Sequence, residues 1–139
     1  MFLGTFAFTT TVKAQMSGTY TVGSGGAYSS LTSAYTALIN NGINGPVTLS
    51  VISDLSGTQQ MGGLVTGASA VNTITVTSST GNVNSYTIGT NISYSQSLYL
   101  YNGVSHVFFK DITIGESTNS TQYYGIYFSN TSSPYTNIE

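Results

Sequence analysis

Cysteine, tryptophan and arginine are all missing from this 139-residue chain, and only 4% of it is charged. Each absence removes a class of function. Without cysteine there can be no disulfide, no thiol nucleophile and no thiolate metal site. With Lys13 and Lys110 as the only cations, nothing can neutralise a run of phosphates or pair with acidic lipid head groups, so neither nucleic acid nor a charged membrane is expected as a partner. Past the first few residues no segment approaches the ~20 consecutive apolar residues of a membrane helix, so the mature chain is not expected to insert into a bilayer.

Ser, Thr, Asn, Gly and Tyr occupy the space that charge leaves. The chain is nevertheless 40% hydrophobic and 12% aromatic, too apolar for a disordered polymer, and long enough for one modest domain with a neutral polar surface. Met1 to Phe8 is apolar, and Val12-Lys13-Ala14 offers the small residues that a signal peptidase reads. Residues 1–14 are therefore expected to be a truncated signal peptide cut after Ala14, or failing that a disordered tail, with 15–139 the exported domain, secreted or at the cell surface.

After Gly23-Ser24-Gly25-Gly26, residues Leu31, Ala34, Tyr35 and Leu38 fall at i, i+3, i+4 and i+7. That spacing predicts one short amphipathic helix over 30–41, capped by a serine and stopped at Asn40-Asn41-Gly42. A glycine loop feeding a helix also suggests a phosphate site, but the lysine and strand context of a phosphate loop are not recognisable, leaving a plain connector. Beyond Gly45-Pro46 the apolar period becomes two. Strands are expected near 47–53, 73–78, 85–89, 97–101, 106–114 and 124–129, separated by Gly, Ser, Asn and Thr.

The later strands repeat. Leu98-Tyr99-Leu100-Tyr101-Asn102 aligns with Ile126-Tyr127-Phe128-Ser129-Asn130, and with a one-residue insertion His106 to Lys110 aligns with Tyr135 to Glu139. Short strands at regular spacing also suit a β-sandwich. Stacking favours a solenoid, because parallel coils set equivalent residues ~4.8 Å apart and like residues then form ladders. Leu98 would stack on Ile126, Leu100 on Phe128 and Phe109 on Ile138 inside, with Asn102 over Asn130 at a corner and Lys110 facing Glu139. In Val107, Phe109, Ile112 and Ile114 the inward pattern skips a beat at Lys110-Asp111, where a coil would turn.

Several stretches carry a family resemblance: Gly18 to Gly23, Leu31 to Leu38 with Gly42 and Gly45-Pro46-Val47, Gly67 to Val76, and Val107 to Ile114. They resemble the right-handed parallel β-helix repeat proteins, pectin-lyase-like in fold, of secreted and surface-bound bacterial proteins. The resemblance implies an all-β solenoid whose short N-terminal α-helix caps the first coil. It also implies further coils beyond Glu139, making this chain the N-terminal part of a longer protein. Relatives that cleave acidic polysaccharides use clustered aspartates, calcium and a basic residue, and no such set is visible here. Asp111 and Glu116, five apart on an extended chain, would sit ~16 Å apart, whereas glycosidase pairs need roughly 5–10 Å. Asp54 reads as a solvated turn residue, and His106, the only histidine, as a polar corner residue without triad or zinc partners. No catalytic residue, metal ligand or cofactor is assigned.

What remains is a face. On the solenoid register Tyr99 and Tyr127 point outward one above the other, with Tyr101 beside them. Such tyrosines can hold the apolar sides of neutral sugar rings while Asn, Ser and Thr supply hydrogen bonds, or can simply brace adjoining strands. The expected function is a non-catalytic, adhesin-like scaffold with at most weak contact to neutral glycans. The alternative is the leading part of a polysaccharide lyase or hydrolase whose catalytic residues lie downstream.

Overall fold

The computed structural model describes residues 13–92, 96–115, 124–129 and 136–138. All but the last two residues of the expected export segment lie outside these ranges, as do Glu116, Asn130, Tyr135 and Glu139.

Strand β1 (Met16–Val22) leads through the glycine-rich turn to helix α1 (Leu31–Asn41), and every later element among the described residues is a strand. In order these are β2 (Ile43–Val51), β3 (Leu55–Ser56), β4 (Gln59–Gly62), β5 (Ile74–Ser78), β6 (Thr87–Thr90), β7 (Gln96–Tyr101), β8 (Ser105–Lys110), β9 (Thr113–Ile114), β10 (Tyr124–Ser129) and β11 (Thr136–Ile138). They form three sheets, ordered β1-β2-β5-β8-β11, β3-β6-β9 and β4-β7-β10. All pairings between these strands are parallel. The chain visits the sheets in rotation and builds a parallel β-solenoid of about four turns. A sandwich of antiparallel hairpins is thereby excluded.

Alternation writes the interior. On the first sheet Val47, Ile74 and Val107 stack in register, beside Tyr20, Leu49, Val76 and Phe109. Leu55, Ile88 and Ile114 form the column of the second sheet, and Met61, Leu100 and Phe128 one column of the third. Val47, Leu49, Ile74, Val76, Ile88, Leu98 and Leu100 are fully buried. Each removes apolar surface worth about 1.5–3 kcal/mol per large side chain.

Helix α1 buries the four residues that its spacing singles out, Leu31, Ala34, Tyr35 and Leu38. Ser30 Oγ accepts from Ser33 N while Ser33 Oγ accepts from Ser30 N, a reciprocal capping box with serine in the place usually held by Glu or Gln. At the other end Gly42 stands at φ 71° and donates to Leu38 O at 2.8 Å. A β-carbon there would press on Thr66 O, so glycine is required on both counts. The helix is tied to β4, the outermost strand of its sheet: Gln60 N donates to Thr32 Oγ1 at 2.8 Å and Tyr35 Oη to Gly63 O at 2.9 Å.

Some expectations need correction. Strand β2 starts at Ile43 rather than 47, because its register against β1 shifts between Met16 and Gly18 and leaves Pro46 in the irregular stretch, where a missing N–H is tolerated. The expected strand 106–114 is two strands broken at Asp111, whose φ of 50° turns the corner. Ile138 pairs with Val107, and Phe109 with Val76, so the expected stack of Ile138 on Phe109 is not formed. That coil is two residues longer than the sequence alignment allowed. A two-residue step preserves the alternation, so Ile138 keeps the same face. Lys110 pairs with Thr77 and lies 3.8 Å from Asp111, and its expected partner Glu139 is outside the described residues.

Candidate functional site

The third sheet carries the tyrosines. In β7 the sequence Leu98-Tyr99-Leu100-Tyr101 alternates, so burying both leucines completely forces both tyrosines outward. Tyr99 pairs with Gln60 on β4 and with Tyr127 on β10, while Tyr101 pairs with Gly62 and Ser129. Tyr99, Tyr101 and Tyr127, which the sequence pattern singles out, thus lie on one sheet, and the register supplies their order.

The rings form a row. Tyr101 and Tyr99 stack at 5.0 Å between centroids with 23° between planes; Tyr99 and Tyr127 follow at 5.6 Å and 31°. A fourth member, Tyr124, stands 5.4 Å from Tyr127 at 43°. Strict alternation would put Tyr124 on the face of Ile126, which is why the pattern does not reveal it. Its three-residue spacing from Tyr127 and the intervening Gly125 are the only signals in the sequence. At the other end of the row, a β-carbon on Gly62 would fall on the ring of Tyr101. Tyr101 thus occupies the space that the missing side chain leaves.

This arrangement limits the chemistry. Rings this close turn much of their faces toward one another, in the offset and tilted geometries that aromatic pairs favour, each worth about 0.5–1.5 kcal/mol beyond burial. Tyr127 and Tyr124, 40% and 50% exposed, present the accessible aromatic surface, with Phe128 at 45% nearby in sequence. No charged residue belongs to β4, β7 or β10, so the sheet offers hydroxyls, amides and rings but no ionic anchor.

The charged side chains among the described residues lie elsewhere, at the corners and the start of the chain. Asp54 Oδ1 accepts from Thr87 N at 2.9 Å and so joins two coils at a corner, a structural duty that the reading as a solvated turn residue overlooks. Asp111 turns the next corner beside Lys110. His106 stands at φ 57° where β8 begins, with Nδ1 3.2 Å from Ser105 Oγ. Among the described residues no three His, Cys, Asp or Glu side chains come together to hold a metal ion, and no helix is long and apolar enough to cross a membrane.

Gln59 is one of the buried polar residues that the sequence reading misses. Its Oε1 accepts from Leu31 N at 2.9 Å, and its Nε2 donates to Ser56 O at 2.9 Å and Gly57 O at 3.3 Å. It fastens the helix start to the corner between β3 and β4. Compared with known proteins, the chain matches no family model, no curated protein and no solved structure.

Proposed function

We propose that the chain is a non-catalytic scaffold, the first coils of a right-handed β-helix in an exported, adhesin-like bacterial protein, with a neutral glycan-contacting edge at its tyrosine row. The observation that carries this reading is the uncharged row Tyr101, Tyr99, Tyr127 and Tyr124 running across successive coils of a parallel solenoid. A row of aromatics along the stacking direction braces the coils, and its exposed members give neutral sugars apolar surface beside hydroxyl and amide groups.

Right-handedness follows from the strong preference of parallel crossover connections for that hand. Helix α1 acts as the N-terminal cap in this reading: Thr32 takes a backbone N–H of the outermost strand β4, and such unsatisfied edges otherwise invite pairing with other chains. Further coils would stack upon β9, β10 and β11, where Phe128 continues the column of Met61 and Leu100.

The test is a glycan-array screen of residues 15–139 after circular dichroism has verified β-rich folding, with Tyr99→Ala plus Tyr127→Ala as control. Binding of neutral glycans by the folded chain, lost in the double variant, is the expected result. A folded sample that binds nothing removes the glycan contact and leaves the scaffold, whereas cleavage of any polysaccharide by the purified chain overturns the non-catalytic reading.

A further inference from the structure

We infer that Tyr99 and Tyr127 form an oxidative coupling site, poised to be joined by a dityrosine bond that ties the coil of β7 covalently to that of β10. The inference stands on ring geometry and redox chemistry and is independent of glycan binding. The side chains that most readily surrender an electron are cysteine, tryptophan, tyrosine and methionine. This chain has no cysteine or tryptophan, and its two methionines among the described residues, Met16 and Met61, are 6% and 0% exposed. Its eleven tyrosines are therefore the sink for oxidising equivalents.

Among the described tyrosines the closest phenols meet in the row on the third sheet, with Tyr20 and Tyr28 a wider pair at 6.0 Å between centroids. Tyr99 and Tyr127 are direct partners in the parallel register, so their backbones are held about 4.8 Å apart, and their centroids lie 5.6 Å apart. Neither needs to diffuse to find the other, which gives the internal reaction its advantage over coupling between molecules. Two pairs are closer, Tyr101 with Tyr99 and Tyr124 with Tyr127, but each lies within one strand and cannot tie one coil to the next, and the Tyr101 ring also fills the space over Gly62 and is less free to turn edge to edge. Tyr127, 40% exposed, is open to an external oxidant, whereas Tyr35 is buried and donates its hydroxyl to Gly63 O.

The chemistry needs a one-electron oxidant, supplied by a haem peroxidase with hydrogen peroxide. Each phenol gives up one electron and one proton to become a phenoxyl radical. The two radicals join through ring carbons ortho to their oxygens, and the hydrogens on those carbons move to the oxygens to restore two phenols. In sum two tyrosines lose two protons and two electrons, which reduce one peroxide molecule to two waters.

The experiment treats the folded full chain, at low protein concentration, with a haem peroxidase and limiting peroxide. The expected product is a monomer lighter by two hydrogens, with dityrosine fluorescence, and a peptic digest that joins the peptides bearing Tyr99 and Tyr127. Tyr99→Phe and Tyr127→Phe each preserve a ring in the row and should abolish that product, while Tyr101→Phe should leave it. The inference is overturned if coupling yields only dimers, if it survives in Tyr127→Phe, if the joined peptides carry another pair, or if no dityrosine forms.

Discussion

The side-chain carbonyl of Gln59 accepts the N–H of Leu31 at 2.9 Å, so a residue of strand β4 completes the first turn of a helix 28 positions earlier. The bond is buried, and the same amide also donates to two corner carbonyls. Gln59→Met keeps the volume but orphans the Leu31 donor and the Ser56 acceptor. It should cost about 1–3 kcal/mol, read as a lower urea midpoint. Gln59→Glu keeps the acceptor, sets a carboxylate against two carbonyls, and should cost more.

Gly62 and Tyr101 make a second testable pair. Gly62→Ala puts a methyl where the Tyr101 ring lies, so the ring must leave its stack on Tyr99. The expected loss is about 0.5–1.5 kcal/mol, accompanied by a weaker near-ultraviolet dichroism signal. Because both changes undo the same contact, Gly62→Ala combined with Tyr101→Ala should destabilise by less than the sum of the single variants.

Leu100 and Phe128 share one inward column but differ in cover, fully buried against 45% exposed. Leu100→Ala should cost about 2–5 kcal/mol, the range for a buried leucine that leaves a cavity. Phe128→Ala should cost less than the about 3–5 kcal/mol of a buried phenylalanine, since much of its surface already meets water. Equal losses in urea unfolding would mean that Phe128 is as well packed as Leu100.

Burial pushes the phenol of Tyr35 well above its ordinary value of 10.0. The folded state therefore favours the neutral form. Its stabilising contribution is complete below pH 10.0 and is lost as the pH rises beyond it, where the unfolded chain ionises first. Ultraviolet difference absorbance should show one tyrosine that ionises only with unfolding. Tyr35→Phe should begin about 1 kcal/mol less stable, for want of the bond to Gly63 O, and lose stability less steeply in alkali.

Strong local periodicity makes the helix and the longer strands legible. Leu31, Ala34, Tyr35 and Leu38 identify the helix, and the alternation in β5, β7 and β10 places those strands within a residue or two. Strands β3 and β4 escape notice because Leu55-Ser56 and Gln59-Gln60-Met61-Gly62 are short, polar and glycine-bearing, and become strands only by pairing with β6 and β7. The tyrosine site is readable where coils keep step, as from Leu98 to Ile126, and unreadable at Tyr124, whose ring departs from the phase of its strand. Asp54 and Gln59 could not be assigned from sequence because their partners are backbone groups of another coil or element.

Coil length on the first sheet varies from 29 residues (Tyr20 to Leu49) to 27 (Leu49 to Val76) and 33 (Val76 to Phe109), while the strands stay in register. The slack is absorbed at the bends, among them 63–73 and 79–86, the latter mostly exposed. Such a molecule works like shelving with adjustable brackets: material can be added at a corner without disturbing the uprights. The segment around Gly81 to Asn84 is accordingly the natural place to graft a foreign peptide or an epitope tag, and lineages that share this shape are free to drift in length until their spacing no longer betrays their kinship.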